Sequence, residues 1–149
     1  MPKRFMRMTW PSLNASVRVA LQDDKAPQIC DSLWNALPYQ SVQAHALITG
    51  YMMFATSPVF TLARENISLM SDQRPGDCFY GAGSQNIVVV YGPLTEPEGA
   101  CRFGRVVEED IHVLAPVGRR AWDNMIAPYG DMTLNPGAKQ IIRVEYERV

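Results

Sequence analysis

The stretch Arg74-Pro-Gly-Asp-Cys-Phe-Tyr-Gly-Ala-Gly-Ser-Gln-Asn-Ile-Val-Val-Val-Tyr-Gly92 decides how this chain is read. Pro75 presets φ for a turn and Gly76 is free to take φ > 0, so the backbone bends cheaply before Asp77. After a glycine-interrupted segment comes the most β-prone run of the protein, Ile87-Val88-Val89-Val90-Tyr91. A continuous β-branched run suits a strand covered on both faces, so other strands must be laid around it. Gly81-Ala82-Gly83-Ser84 resembles a phosphate loop only superficially. It leads into a strand and not into a helix N-terminus, so the anion site of that motif is missing.

Outward toward the N-terminus, the alternation of Val17, Val19 and Leu21 with polar residues gives a strand over 15–22. Residues 3–10 read as a short strand or a loose arm, with residues 1–12 as the arm in the second case. Asp24 is a suitable helix N-cap and Pro27 falls in the first turn. Cys30, Leu33, Trp34 and Leu37 then recur at helical spacing up to Pro38, which predicts a helix ending near Ala36. A helix this short depends on packing its apolar face onto a sheet. Residues 41–56 read as a strand broken at Gly50, 58–63 as a short strand and 64–74 as a loop.

Toward the C-terminus, 92–100 reads as a surface loop and 102–107 as a strand. Residues 111–115 are strand or helix, and 118–125 a short helix anchored by Trp122. Residues 127–138 form a connector, and 140–146 a closing strand. Many short strands with few helices hide their edges best in a small closed barrel.

The 149 residues suit one domain, 1–149. A formal net charge of -1 provides no basic field for nucleic acid or an acidic membrane surface. The longest strongly apolar run is far below a membrane span. The three cysteines, Cys30, Cys78 and Cys101, are odd in number and lack redox or metal spacing, which points to a reducing compartment. Lys3, Arg4 and Arg7 are not followed by the apolar run of a secretory signal. The expectation is a soluble cytoplasmic protein. Two histidines and three scattered cysteines make no metal constellation, and no cofactor is called for. Eight methionines, three tryptophans and the Met52-Met53-Phe54 run are a large apolar load for a small barrel, which favours a homo-oligomer.

The order of these pieces resembles the cyclophilin-like β-barrel proteins of bacteria. Ala26-Pro27, Leu33-Trp34 and Leu37-Pro38 look like the first helix of that family, and His45-Ala46 with Thr49-Gly50 like its following strand. Glu65-Asn66 and Pro75-Gly76-Asp77 with Tyr80 look like its middle loop and turn. Tyr91-Gly92 and Phe103-Gly104-Arg105-Val106 look like its later strands. The resemblance covers roughly residues 15–147. It implies a closed barrel capped by a helix, so the expected fold is a mainly β, small closed cyclophilin-like barrel with one capping helix, to which the reading of residues 118–125 adds a second, short one. It implies no shared activity. The Phe-His-Arg and Gln-Gly-Gly-Asp stretches of prolyl-isomerising cyclophilins are absent, so no prolyl isomerase is expected.

The residues that could carry chemistry are few. His45, in an apolar context, is either a hydrogen-bonded core histidine or an imidazole that binds or deprotonates a ligand. Arg105, inside a strand, either pairs with Asp77 or Glu65 or meets an anion, with Arg102 second to it. Tyr51 and Tyr80 stand near glycines and suit pocket rims. Cys78 reads as a small buried hydrophobe, and His112 as a surface residue. The first expectation is therefore a binding protein for a small polar or anionic molecule, with Arg105, His45, Tyr80, Tyr51 and Glu65 at the ligand. The second is a hydrolase or isomerase of a small molecule using His45 as acid/base. The third is a protein-interaction module. In the first, Arg105 and His45 are expected to share one pocket.

Overall fold

The computed structural model describes residues 2–129, 137 and 139–149, and these form ten strands and two α-helices. Strands β1 (Phe5–Trp10) and β2 (Ala15–Leu21) precede helix α1 (Pro27–Ala36). Then come β3 (Tyr39–Val42), β4 (Ala44–His45), β5 (Gly50–Thr56), β6 (Ile67–Leu69), β7 (Asp77–Gly81), β8 (Asn86–Leu94) and β9 (Gly99–Val106). A 3-10 segment, Glu108–Val113, leads into helix α2 (Leu114–Ile126), and β10 (Arg143–Arg148) closes the chain.

The spatial order is β3-β10-β1-β2-β9-β7-β8-β5-β4, with β6 attached to β9, and every pairing is antiparallel. The two ends of this order, β3 and β4, are separated in the chain by Gln43 alone. One bent strand thus pairs with β10 before the bend and with β5 after it, and the sheet becomes a nearly closed barrel. Closure leaves few unpaired edges, which is the physical advantage of a barrel over an open sheet.

Gln43 secures the bend and is almost fully buried. Its side-chain oxygen accepts a hydrogen bond from the Trp10 indole N–H at 2.8 Å. Its amide donates to the carbonyls of Ala44 and Phe54 at 3.2 and 3.0 Å, and its backbone N–H donates to Ile142. Ser41 Oγ adds a bond to the Thr56 carbonyl at 2.6 Å.

The alternation of the strands fills the interior. Met6, Met8, Trp10, Val17, Val19, Ile87, Val89, Phe103 and Tyr146 form one buried cluster. Helix α1 adds Ile29, Cys30 and Leu33 to it, and α2 adds Leu114, Val117 and Ala121. A second, smaller cluster lies on the outer face of the same wall: Met70, Phe79, Val88, Val90, Leu94 and Ala100, flanked by Met52 and Phe54. The run 87–91 is therefore covered on both faces from Ile87 to Val90.

Several elements differ from the sequence reading. Residues 3–10 are no loose arm, because β1 sits between β2 and β10 with Met6, Met8 and Trp10 turned inward. The expected strand 41–56 is the bent β3–β4, a loop and β5, since one straight strand could not pair with both barrel edges. Residues 58–63 form no strand. Asp24 does not cap α1. The helix starts at Pro27, and the distant Glu65 carboxylate accepts the N–H groups of Gln28 and Ile29 at 3.2 and 3.0 Å. The second helix is longer than 118–125, because Leu114 and Val117 extend its apolar face. Of the expected connector over 127–138, residues 130–136 and 138 lie outside the described residues.

Replacing Gln43 by leucine strands the buried Trp10 N–H and the carbonyl of Phe54. The expected loss is about 2–4 kcal/mol of unfolding free energy, measured by urea titration, since each buried unsatisfied group costs roughly 1–3 kcal/mol.

Candidate functional site

Antiparallel pairing decides which face each chemically capable side chain occupies, because residues directly opposite one another share a face. Asp77 lies opposite Arg105. Its carboxylate is fully buried and accepts Arg105 Nη1 at 2.9 Å, with Arg102 Nη1 at 3.5 Å. It also accepts the backbone N–H of Arg74 at 2.8 Å, which clamps the turn with Gly76 at φ +98°. Arg105 is thus engaged in an ion pair on the outer face. Glu65 is engaged at the start of α1. Tyr80 points into the interior and donates its hydroxyl to the Val59 carbonyl at 2.9 Å.

His45 lies opposite Met53, an interior residue, and so belongs to the other face of the wall. The structure does not bring His45 and Arg105 to one cavity. Arg105 borders a cavity with Lys3, Phe5 and Glu108, whereas His45 and Tyr51 line another beneath α2.

The cavity under α2 has a volume of about 630 Å³. His45 Nδ1 lies 2.7 Å from the Ala46 carbonyl and Nε2 lies 2.5 Å from the Tyr91 hydroxyl. A carbonyl only accepts, so Nδ1 carries the proton and Nε2 accepts the one on Tyr91. Trp122 meets the imidazole edge-on at 5.2 Å, and Tyr51 meets Tyr91 at 5.6 Å. Two glycines allow this stacking. A Cβ on Gly118 would fall 2.4 Å from the Tyr91 ring, and one on Gly92 would fall 2.7 Å from Tyr51. Burial pushes the His45 pKa below its ordinary value, partly offset by the bond to Ala46, and burial raises that of Tyr91. Burial also raises the Cys30 thiol to about 12 and moves Cys78 in the same direction. All three cysteines are buried and none forms a disulfide.

A second cavity, of about 450 Å³, opens on the outer face. Its floor is apolar: Met52 and Phe54 from β5, Phe79 from β7, Val88 from β8 and Met70. Arg64, Glu96 and Glu98 stand around it. The 95–98 loop is fixed there by backbone bonds from Met70 to Glu98 and from Ser71 to Glu96. Thr49 Oγ1 donates to Glu96 at 3.1 Å. Among the described residues, neither glutamate nor Arg64 has an ion-pair partner. Sequence reading missed this site, because nothing in the spacing links Arg64 to Glu96. The one available signal was the pair of glutamates, Glu96 and Glu98, in a loop rich in proline and glycine. Among the described residues no group of three His, Cys, Asp or Glu side chains could hold a metal ion, and no helix is long and apolar enough to cross a membrane.

An antiparallel, nearly closed barrel with helical covers is a cyclophilin-like fold, and comparison with solved structures shows the same class. The structure of McbB in complex with tryptophan matches with a TM-score of 0.81 and 30% identity, over 95% of this chain and 44% of that one. The chain therefore spans less than half the length of McbB. The solution structure of the hypothetical protein AF2241 from Archaeoglobus fulgidus matches at 0.61 and 17% identity, over 99% of this chain and 95% of that one. The Mimivirus cyclophilin matches at 0.54 and 8% identity, over 99% and 89%. These last two establish the fold alone. No family model and no curated protein matches the chain.

The depressed His45 pKa fixes a sign. Below the ordinary histidine pKa of about 6.5 the unfolded chain takes up a proton more readily than the folded one. The stability that depends on neutral His45 is complete above that pH and falls as the pH drops through it. Urea unfolding at about pH 7.5 and about pH 5 should show a larger loss for the native chain than for His45→Gln. Equal losses would mean that His45 titrates alike in both states.

Proposed function

We propose that the chain binds a small zwitterion with an aromatic side chain, of the aromatic α-amino acid class, in the outer-face cavity. One observation carries this reading: charges of both signs, without ion-pair partners among the described residues, surround an apolar floor. The ring of such a ligand would lie on Phe54, Phe79 and Met52, and burial of its apolar surface would supply most of the affinity. Its ammonium would meet Glu96, already oriented by Thr49, and its carboxylate would meet Arg64. The likeness to McbB, whose structure was solved with tryptophan, supports the same ligand class. Prolyl isomerisation is not part of this reading, since the sequence stretches that carry it are absent.

Titration calorimetry with L-tryptophan tests it. Saturable binding is expected, weakened about tenfold by Glu96→Gln, where the side chain is half-buried, and about threefold by Arg64→Gln, where it is exposed. Tryptamine, which lacks the carboxylate, should keep its sensitivity to Glu96→Gln and lose that to Arg64→Gln. Binding indifferent to both substitutions would overturn the proposal.

The same reading includes a cytoplasmic location, in keeping with three buried thiols, and self-association. Phe60, Leu62, Ile67 and Leu69 are exposed apolar side chains on neighbouring stretches of chain, and large exposed apolar surface is commonly covered by a partner. Light scattering should give more than the monomer mass, and Leu62→Ser should lower it.

A further inference from the structure

We infer that the cavity beneath α2 is a second binding site, for a flat aromatic carboxylate carrying a hydroxyl or amino donor at the end away from its carboxylate. It is separate from the outer-face cavity, with which it shares no lining residue.

The chemistry follows from what the walls offer. Tyr51, Tyr91 and Trp122 present ring faces and edges, and Leu47 and Ile48 stand at the mouth. These two aliphatic side chains are 71% and 79% exposed, which is unusual for neighbouring large residues beside a cavity and leaves them ready to cover a ring. A flat ring fits between such walls, whereas a bulky or strongly hydrated group does not.

The polar groups fix the orientation. Arg119 is the one charged residue among those that line the cavity, so the charge it favours is negative. Its guanidinium is steered by Asp123, one helical turn further on, at 3.0 Å, and still has N–H donors to spare for a carboxylate. Deeper in, the direction of the His45 bond matters. Because Nδ1–H is committed to Ala46, Tyr91 must give its proton to Nε2. The Tyr91 oxygen is then left with acceptor capacity only, and the group it recognises must be a donor. A ligand with a carboxylate at one end and an O–H or N–H at the other satisfies both. Burial keeps His45 neutral and Tyr91 protonated near pH 7, so the hydrogen-bond direction is stable there.

Calorimetry with 4-hydroxybenzoate as the probe tests the inference, with benzoate lacking the donor and 4-hydroxybenzyl alcohol lacking the carboxylate. Saturable one-to-one binding is expected for 4-hydroxybenzoate, weaker by about tenfold for either comparison compound. Arg119→Gln lies on the exposed helix surface and should fold normally. It should remove most of the advantage over the alcohol while leaving L-tryptophan binding unchanged. Tyr91→Phe should remove the advantage over benzoate. Failure of 4-hydroxybenzoate to saturate at millimolar concentration would overturn the inference, as would binding insensitive to Arg119→Gln. So would loss of both ligands' binding to the same outer-face substitution, Glu96→Gln, because that places one site and not two. If instead a second copy of the chain covers the mouth, Leu47→Ser will lower the mass seen by light scattering and 4-hydroxybenzoate will not bind, which also refutes it.

Discussion

Gln43 holds the bend at which the two ends of the strand order meet. The strand that carries it pairs with β10 on one side of the bend and with β5 on the other. A bend of this kind leaves backbone groups without ladder partners, and a buried unpaired group is costly. Gln43 answers this with both ends of its amide, joining Trp10, Ala44 and Phe54 in one network. The consequence reaches beyond the seam. Once the ring is closed, inward side chains from all sides meet, and here they are large: Trp10, Phe103, Tyr146 and two methionines. Among the described residues these side chains fill the interior as a buried cluster, as in small barrels generally. Binding chemistry has to lie outside the core, on the outer face of the wall or beneath a helix.

The same closure separates Arg105 from His45. Both are strand residues, and converging strands invite the idea of one shared pocket. Pairing sends them to opposite faces instead. Arg105 is opposite Asp77 on the outer face, and His45 is opposite Met53 on the inner one. Asp77 then makes the arrangement permanent. It closes the Pro-Gly-Asp turn through the Arg74 N–H and is fully buried, so its charge needs a cation. Arg105 and Arg102 supply it, at 2.9 and 3.5 Å.

How much of this the sequence reveals depends on whether the cause is local. The run 87–91 was legible because both faces of one strand are buried, a property written in consecutive residues. The turn at Gly76 was legible for the same reason. The cap of α1 was not, because Glu65 lies far along the chain, and Asp24, the local choice, is left in a turn. The start of α2 was hidden by Pro116 and Gly118. The glycine looks like a break but is the space into which the Tyr91 ring fits. At the sites, His45 stood out as a lone histidine among apolar residues. Its partners did not, since Tyr91 comes from β8, and Arg119 and Trp122 come from α2. Only the fold brings these together.

Both cavities hang on one pair of strands, β5 and β8. Along β8, Ile87 and Val89 face the core and Val88 faces the outer cavity, while Tyr91 reaches the space beneath α2. The partner strand β5 continues the same alternation, so Met53 faces the core, Met52 the floor of the outer cavity and Tyr51 the space beneath α2. Adjacent residues of one strand thereby serve two different surfaces. The ladder shifts register just beyond, between Gly50 and Met52, and Tyr51 lies there against Tyr91 and over Gly92. Such an irregularity bends a strand without ending its pairing, and it is common beside functional sites. Gly50, at φ +125° and with the Pro93 carbonyl 2.4 Å from where a Cβ would stand, is the backbone position that permits it.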